Sequence, residues 1–416
     1  LAKRDPAPRE KLKIENSSWM PFIAAMLFGT HPIHTEAIAY AAASMEVTGA
    51  VFFLAAFWLW LKRGRRWQIW VGTLSVLAFF TYEMTLTLPL VMLLTSIVFD
   101  QKYDLRLTIN NLRKHWKDYV FVILPAIAYV AVRVGVLHVT GRGEYLAYSA
   151  YHTGLVMVQM LVKYLSLMVW PVNLSYLHEI APGVDSFLTQ YSRLESILEQ
   201  SIFDWRVLLS LGVIVTLGYA AWVGRKKWPL VTWAIGWFFI TLLPVAYIVP
   251  QGIAISEKYL FLASLGYVVV IAYAISKFSI FAAKRDLASR DNFQFSIFLL
   301  ALLILFYGGL TVKRTFDWRN EVVFWHRLTV QHPKSALAYF TLGVHLGEKG
   351  SIDEAERMYE RAIALEPRMV EARFNLGNMY AKKGKQTEAL EQYTTILELD
   401  PNFEPARKKM KELVDK

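Results

Sequence analysis

Residues 46–82, EVTGAVFFLAAFWLWLKRGRRWQIWVGTLSVLAFFTY, contain two apolar runs with a short basic turn between them. The runs at 46–61 and 67–82 carry a single charged residue, Glu46. A helix that spans a bilayer needs about 20 predominantly apolar residues, and short loops rich in Lys and Arg stay on the cytoplasmic side. This stretch therefore predicts two transmembrane helices joined on the cytoplasmic side.

Similar apolar runs continue on both sides of this hairpin. The chain of 416 residues is 55% hydrophobic and 19% charged, whereas soluble domains average about 25% charged residues. Because the charges are concentrated toward the C-terminus, the sequence predicts an all-α protein with a polytopic transmembrane helical bundle at 19–312 and a soluble helical domain at 313–416. The predicted apolar segments lie at 19–30, 46–61, 67–82, 84–99, 118–137, 153–170, 205–223, 228–249, 257–275 and 295–312.

Basic clusters in the loops predict the orientation of these helices. Residues 1–18 are predicted to form a cytoplasmic loop, and we expect earlier transmembrane segments upstream of Leu1. Counting crossings places the segments at 31–46, 81–83, 138–152 and 250–256 outside, together with the C-terminal tail. The basic residues that fix this order are Arg63, Arg65, Arg66, Lys102, Arg106, Arg113, Lys114, Lys117, Arg225, Lys226, Lys227, Lys277, Lys284, Arg285 and Arg290.

The segment at 153–170 does not fit this alternation, because residues 138 and 205 are both predicted to lie outside. Its polar residues His152, Gln159, Lys163 and Ser166 share one helical face. A lysine in the middle of the bilayer is costly. Either this segment is re-entrant or lies in the outer interface, or a further crossing helix is present between 138 and 205.

Composition excludes several kinds of chemistry. The chain has no cysteine, which excludes disulfides, thiolate metal sites and a cysteine nucleophile. The net charge of +11 is accounted for by the loops of a membrane protein, so we predict a lipid bilayer as a partner and no nucleic-acid binding.

The tail carries an internal repeat. Pro333, Pro367 and Pro401 are spaced 34 residues apart, which is the period of tetratricopeptide (TPR) repeats. The predicted α-solenoid consists of a half repeat at 318–333, repeats at 336–367 and 370–401, and a capping helix at 404–416. Such an array either binds peptide in its groove or serves as a spacer or dimer contact. The structural positions of the repeats are Tyr339, Leu342, Gly343, Ala355, Tyr359, Pro367, Leu376, Gly377, Tyr380, Ala389, Tyr393 and Pro401.

Three motifs in the predicted outer segments carry polar residues suited to chemistry. The richest is HPIHTEAIAY at 31–40, in which His31, His34 and Glu36 could bind a metal or a phosphate or orient a catalytic acid, or could only cap a helix and close the loop. The second is TYEMTLTLP at 81–89, with Glu83 at the outer turn. The third is ISEKYLFLASLG at 255–266, where Glu257 and Lys258 could simply pair with each other or lie in the membrane interface.

These residues resemble the transmembrane and TPR repeat-containing protein family, whose eukaryotic members are protein O-mannosyltransferases of the glycosyltransferase C superfamily. The stretches at 31–37, 83–89 and 257–264 match its motifs, and the TPR tail extends the similarity over nearly the whole chain. Tyr82 replaces a lysine of the family pattern, Lys258 replaces an arginine, and Ala263 replaces a proline. The family's catalytic acid lies in the first outer loop, which we expect upstream of Leu1, so no residue here is assigned as the base.

The resemblance implies transfer of a sugar, with mannose expected, from a polyprenyl-phosphate carrier to a protein hydroxyl outside the cytoplasm, with the TPR groove holding the acceptor. The departing phosphate needs cations or hydrogen-bond donors. No metal site is predicted, and metal dependence is left open. Candidates for the donor phosphate or for shaping the site are His31, His34, Glu36, Glu83, Arg133, Lys163, Glu257 and Lys258, and candidates for the acceptor cleft are His178 and Glu179.

The alternative function is a membrane-anchored TPR adaptor for envelope protein assembly, and a transporter fits less well because no paired broken helices recur in two halves. An acidic residue in the upstream loop would favour the transferase over the adaptor. For the transferase, we predict that Glu36→Gln or His34→Ala abolishes sugar transfer without unfolding the protein.

Overall fold

A computed structural model describes residues 19–40, 43–64, 66–100, 105–139, 149–181, 184–185, 197–246, 255–284 and 289–414. Within these residues the chain divides into two units, Leu1–Arg314 and Thr315–Lys416. We call them the membrane unit and the TPR unit. Each has its own apolar core.

The membrane unit is a helical bundle, as predicted. Its α-helices are α1 (Met20–Thr30), α2 (Thr35–Ala39), α3 (Ser44–Lys62), α4 (Trp67–Thr81), α5 (Leu88–Thr95), α6 (Leu105–Ala131), α7 (Ala150–Val169), α8 (Trp205–Gly224), α9 (Pro229–Leu242), α10 (Leu260–Lys284) and α11 (Ser289–Asp317). Short 3-10 turns cover Pro32–His34, Glu83–Thr87, Leu243–Val245 and Glu257–Tyr259, and π-helical turns cover Ser96–Asp100 and Val132–Val136. A small antiparallel ribbon, β1 (Glu179–Ala181) with β2 (Val184–Asp185), is the one addition to the all-α prediction among the described residues.

Six helical segments in the described residues are long and apolar enough to cross a membrane, and four shorter apolar helices accompany them. Large apolar side chains point away from the core on these helices, where lipid would replace water as their surroundings. They include Trp58, Trp70, Leu124, Ile127, Leu208, Val215, Trp222 and Leu305, all exposed. The polytopic membrane fold predicted from the sequence is therefore confirmed.

Helix α7, over the segment that broke the predicted alternation, makes polar contacts near both of its ends with one end of the bundle. That end holds the turn after α1, the residues before α8 and the turn before α10. The contacts are the Tyr151 hydroxyl with the Ile202 amide at 3.1 Å, the Tyr164 hydroxyl with the Ser256 amide at 3.1 Å, and the Met168 carbonyl with His31 Nε2 at 3.0 Å. α7 is one of the helices that are long and apolar enough to span a bilayer.

The TPR unit is a stack of antiparallel helices. They are α12 (Glu321–Gln331), α13 (Ala336–Glu348), α14 (Ile352–Leu365), α15 (Val370–Lys382), α16 (Gln386–Leu399) and α17 (Glu404–Val414). Gly350 and Gly384 have φ values of 82° and 77° in the turns within the two full repeats, a conformation that favours glycine. Ala406 on α17 is buried against the Tyr393 cluster, so α17 covers the end of the apolar core.

Close approach of helices inside each repeat depends on two glycines. A Cβ atom added at Gly377 would lie 2.7 Å from Tyr393 Cε1, and one at Gly343 would lie 2.8 Å from Tyr359 Cε1. Both tyrosine rings are buried beside small residues, Ala389 and Ala355. These contacts explain why glycine, alanine and tyrosine occupy the repeat positions.

We expect Gly377→Ala to destabilise the TPR unit by about 1–3 kcal/mol, because the added methyl group overpacks the contact with Tyr393. Gly309→Ala is a matched control, since nothing lies within 4 Å of the Cβ that it adds. Limited proteolysis of the full chain against denaturant would measure both. Equal resistance of the TPR unit in the two variants would contradict the prediction.

Candidate functional site

The three polar motifs of the sequence converge at one end of the membrane unit. They surround a cavity of about 460 Å³, within the range of about 300–1,000 Å³ seen for small-molecule sites. The first motif supplies Glu36 and Tyr40, the second Thr81, Tyr82 and Glu83, and the third Ile255, Ser256, Lys258 and Tyr259. The lining is completed by Met45, Glu46, Phe79, Phe80, Tyr129 and Tyr176.

Glu36 joins the first motif to the third. It lies on α2, directly after the 3-10 turn that begins at Pro32, and its side chain is only 1% exposed. The Ser256 hydroxyl donates to Glu36 Oε1 at 2.5 Å, and the Glu257 amide donates to Oε2 at 2.9 Å. Because both oxygens are hydrogen-bonded, this carboxyl fixes the backbone at 256–257 against α2.

Burial raises the pKa of the Glu36 carboxyl from 4.5 to about 7, because a charged group loses its hydration inside the protein. The nearby Glu257 carboxyl also raises this pKa, whereas the Ser256 hydrogen bond, Arg314 and Lys258 lower it. Glu36 therefore exchanges its proton near neutral pH.

We expect the stability of the unmodified protein relative to Glu36→Gln to fall as pH rises from about 5 to about 8. The pKa of Glu36 in the folded state, about 7, lies above its ordinary value of 4.5, so the folded state holds the proton more tightly than the unfolded state does. The resulting stabilisation is complete below about pH 4.5 and is lost above about pH 7, with a total of roughly 3 kcal/mol at most.

Denaturant unfolding across this pH range would measure the difference between the two proteins. Burial lowers the pKa values of His31 and His34 to about 4 and about 3. Their contribution to the free energy of unfolding therefore decreases as pH falls, which is the opposite of the pH dependence expected for Glu36. Since they are present in both proteins, the difference isolates Glu36. A difference that does not change with pH would contradict the prediction.

Glu257 lies at the centre of a second buried group. Its side chain is 0% exposed and accepts hydrogen bonds from the Ser175 amide at 2.6 Å, from His178 Nε2 at 3.0 Å and from Arg314 Nη2 at 2.5 Å. It does not pair with its neighbour Lys258, which was the simpler reading of the sequence. This group binds the loop after α7 and the end of α11 to the turn before α10.

Arg314 was missed in the sequence analysis. It follows the predicted apolar segment at 295–312 and reads as an ordinary basic residue at a helix end. In the structure α11 continues to Asp317, and Arg314 is only 8% exposed. Its position within one turn of a long apolar run was the one sequence feature that could have indicated burial. A buried arginine needs a partner carboxylate, so this position also indicated a buried ion pair.

Two ion pairs lie at the cavity. Lys258 Nζ is 3.0 Å from Glu46 Oε1, and the Arg133 guanidinium donates to Glu83 and, at 2.9 Å, to the Tyr129 hydroxyl. The structure thus places the predicted residues Glu83 and Lys258 in the lining of the cavity and Arg133 behind it, in contact with the lining residues Glu83 and Tyr129.

His31 and His34, predicted as candidates for the donor phosphate, do not line the cavity. His31 uses Nε2 to donate to the Met168 carbonyl at 3.0 Å and Nδ1 to accept from the Ile33 amide at 3.3 Å. His34 donates from Nδ1 to the Phe28 carbonyl at 2.8 Å, and its Nε2 lies 2.8 Å from Ser264 Oγ. Both rings are buried, their pKa values are lowered by burial, and neither lines the cavity. They shape the turn and do not offer a charge to a phosphate.

The candidates Lys163 and His178 do not line the cavity. The polar face predicted on α7 is divided, because Gln159 is buried against Gln200 at 2.9 Å while Lys163 is half-buried. His178 is in the Glu257 group described above. Glu179 begins β1, and its side chain lies outside the described part of the structure.

No group of three or more metal-ligating His, Asp or Glu side chains occurs among the described residues. The cavity carboxylates Glu46 and Glu83 are instead each in contact with a basic side chain.

Comparison with known proteins agrees with the two-part architecture. A tetratricopeptide repeat family model matches residues 340–402. A protein O-mannosyl-transferase of Caenorhabditis elegans is 26% identical over 352 residues, covering 83% of this chain and 46% of that protein. Homo sapiens protein O-mannosyl-transferase TMTC4 is 24% identical over 367 residues, covering 81% and 48%. Mus musculus protein O-mannosyl-transferase TMTC3 is 23% identical over 372 residues, covering 82% and 38%.

The chain thus spans about half the length, or less, of these relatives. The resemblance found in the motifs is confirmed, since proteins named O-mannosyl-transferases are similar to most of the chain, both the membrane unit and the repeats.

Proposed function

We propose that this protein is a membrane glycosyltransferase that moves a sugar, with mannose expected, from a polyprenyl-phosphate carrier to a protein hydroxyl outside the cytoplasm. One observation carries the proposal. Three stretches far apart in sequence, around residues 36–46, 82–83 and 255–259, meet at one polar cavity, in a chain similar to proteins named O-mannosyl-transferases.

The reaction forms a bond between the acceptor oxygen and the anomeric carbon of the sugar, while the bond from that carbon to the phosphate oxygen breaks. The phosphate leaves with the bonding electron pair, and a general base takes the acceptor proton. No described residue is assigned as that base, and the described residues shape and charge the cavity. The carboxyl groups of Glu36 and Glu257 bind the backbone segments around the cavity. The cavity is lined by Glu46, Glu83 and Lys258, and Arg133 contacts Glu83 from behind.

A lipid-linked donor requires a site that opens both to lipid and to water. The cavity lies at the end of the bundle that carries α7, whose contacts run along that end, and the helices around it expose large apolar side chains. This location supports a site at the boundary between bilayer and water.

The TPR unit supports binding of a protein. Repeat arrays present a concave surface that suits an extended peptide, and a peptide acceptor held there would supply the hydroxyl. The same unit also supports the alternative function, a membrane-anchored adaptor that binds proteins without transferring sugar.

A transfer assay separates these two functions. Membranes containing the full-length gene product would be incubated with radiolabelled polyprenyl-phosphate mannose, and label in protein would be counted against membranes without the gene. We expect label in protein that resists delipidation. Protein capture by the TPR unit with no label above background would favour the adaptor.

A second experiment tests on which side of the membrane the TPR unit lies. Cysteine introduced at exposed Lys408 of the TPR unit, in this cysteine-free chain, should react with a membrane-impermeant maleimide only from the side that holds the acceptor. Labelling from the cytoplasmic side would overturn the proposed arrangement.

A further inference from the structure

The turn between α8 and α9 carries three adjacent basic residues between two tryptophans. Residues 219–228 read YAAWVGRKKW, and we call this stretch the basic turn. Its cations are Arg225, Lys226 and Lys227. The structure describes the chain continuously over 197–246, which includes both helices that carry the basic turn and every residue between them.

Contacts within the hairpin hold the basic turn in one shape. The Gly224 carbonyl accepts hydrogen bonds from the Lys227 amide at 3.0 Å and from the Trp228 amide at 2.7 Å. The Thr232 hydroxyl on α9 donates to the Ala221 carbonyl on α8 at 3.0 Å. A Cβ atom added at Gly224 would lie 3.3 Å from Trp228 Cε3, so the indole packs directly on the turn. The side chains of the turn therefore extend from a fixed backbone.

Two of the cations lie over exposed indole rings. Arg225 Cζ is 4.5 Å from the centroid of the Trp222 ring, and Lys227 Nζ is 5.1 Å from that of the Trp228 ring, within the range of cation–π attraction. Trp222 is 61% exposed and Trp228 is 51% exposed. Exposed tryptophans at the ends of membrane helices lie at the level of the lipid headgroups, and we expect the two charges at the same level.

Carboxylates do not balance the charges of the basic turn. Within the described structure Arg225, Lys226 and Lys227 form no ion pair, and the sequence over 205–256 contains no Asp or Glu. Arg225 Nη1 donates to the Trp222 carbonyl, and a guanidinium has further N–H donors. Because like charges close together repel one another, an anion bound at the turn would reduce that repulsion.

The opposite end of α8 provides an internal comparison. The helix has 20 residues, about 30 Å in length, and is apolar enough to cross a membrane. At its start Arg206 Cζ lies over the Trp205 ring at 5.1 Å, the same arrangement of cation and indole. There, however, Arg206 Nη1 is 3.9 Å from Asp204 Oδ2. One helix thus has a cation next to a carboxylate at its first end and unpaired cations at its second.

From this asymmetry we propose that the basic turn binds the phosphate groups of anionic phospholipids in the bilayer leaflet that it meets. Its cations supply the charge and the N–H donors that bind phosphate. The ligand is a lipid because Tyr219 and Val223 beside the cations are 65% and 53% exposed, and acyl chains cover such surfaces on a membrane helix. None of these residues lines the cavity, so the proposal is independent of the transferase.

Lipid selection at the two ends of α8 tests the proposal. The chain has no cysteine, so a single cysteine at exposed Val223 or at exposed Leu208 places one bimane label near either end. The labelled full chain would be reconstituted in vesicles of phosphatidylglycerol and phosphatidylcholine in equal parts, with bromine on the acyl chains of one lipid at a time. Bromine quenches the label on contact, so the two quenching efficiencies give the local ratio of anionic to zwitterionic lipid.

We expect phosphatidylglycerol to be enriched about fivefold or more over the bulk mixture at the Val223→Cys label and not at the Leu208→Cys label. A factor of about five corresponds to the attraction of one Lys or Arg to an anionic membrane surface. Raising the salt concentration should reduce the enrichment, since exposed charges are screened. Equal lipid ratios at the two labels, or an enrichment that salt does not change, would overturn the proposal.

Neutral side chains in the turn should remove the selection. With Arg225→Gln, Lys226→Gln and Lys227→Gln combined, the enrichment at the Val223→Cys label should fall to that at the Leu208→Cys label. The control changes three exposed lysines of the TPR unit to glutamine, namely Lys382, Lys408 and Lys411. It should keep the full enrichment. If the enrichment persists in the first variant at an unchanged unfolding midpoint, the cations do not cause it and the proposal fails.

A soluble phosphate ester carries the same anion as the lipid and provides the last comparison. Glycerol 1-phosphate, added at constant ionic strength, should leave the lipid ratio at the Val223→Cys label unchanged, because it brings no acyl chains to the exposed side chains beside the turn. A fall in the enrichment with added glycerol 1-phosphate would make the soluble anion the ligand and would overturn the assignment to lipid.

Discussion

Arg314→Ala is expected to lower the free energy of unfolding of the membrane unit by about 3–5 kcal/mol. Arg314 is the last residue of that unit, and its guanidinium contacts Glu257, whose side chain is 0% exposed. Without the guanidinium the buried carboxylate keeps only neutral donors or a histidine to offset its charge. Removal of one partner from a buried pair leaves an uncompensated charge, which is the reason for the large effect.

Denaturation of the full chain in detergent, followed by tryptophan fluorescence, would measure this loss. Lys313→Ala is the matched control, since Lys313 lies one position earlier on the same helix and is exposed. Arg314→Lys should recover part of the loss, because lysine restores the charge without the guanidinium geometry. Equal unfolding curves for Arg314→Ala and Lys313→Ala would show that the buried pair contributes little.

Glu36→Gln is expected to abolish sugar transfer in the full-length gene product while the protein stays folded. Glutamine keeps the shape of glutamate and can still accept from the Glu257 amide, now 2.9 Å from Oε2. It cannot carry the charge of the carboxylate or exchange its proton. The measurement is label transfer from radiolabelled lipid-linked mannose in membranes, alongside the unfolding midpoint of the purified protein.

Glu348→Gln serves as the control for this change, because Glu348 lies on the TPR unit with its side chain 65% exposed. It should leave both transfer and unfolding unchanged. Transfer by Glu36→Gln at the unmodified rate would mean that the carboxylate only closes the loop, as the structural alternative for this motif holds.

His34→Ala, the other variant predicted from the sequence to act without unfolding, is a poorer test in the light of the structure. The ring is 3% exposed and connects the Phe28 carbonyl to Ser264 Oγ at 2.8 Å on each side. Alanine would leave a cavity and an unpaired carbonyl, each of which destabilises by about 1–3 kcal/mol or more. Loss of transfer in this variant could therefore come from unfolding, and we expect its stability to fall.

Helix α7 shows what hydropathy and loop charges can predict and what they leave open. Hydropathy detected the segment, and the loop charges showed that it did not fit a simple alternation of crossings. Only the structure shows the contacts of Tyr151, Tyr164 and Met168 with one end of the bundle, because those partners lie far away in sequence.

The sequence alone determined the apolar helices, the repeat tail and the three motifs of the cavity, since these depend on the length of apolar runs, the 34-residue period and the order of neighbouring residues. Only the tertiary structure decided which charges meet: Lys258 with Glu46 rather than with Glu257, and Arg314 with Glu257. Partner choice depends on distance and burial in three dimensions, and a carboxylate inside a protein pairs with whichever cation the packing brings to it.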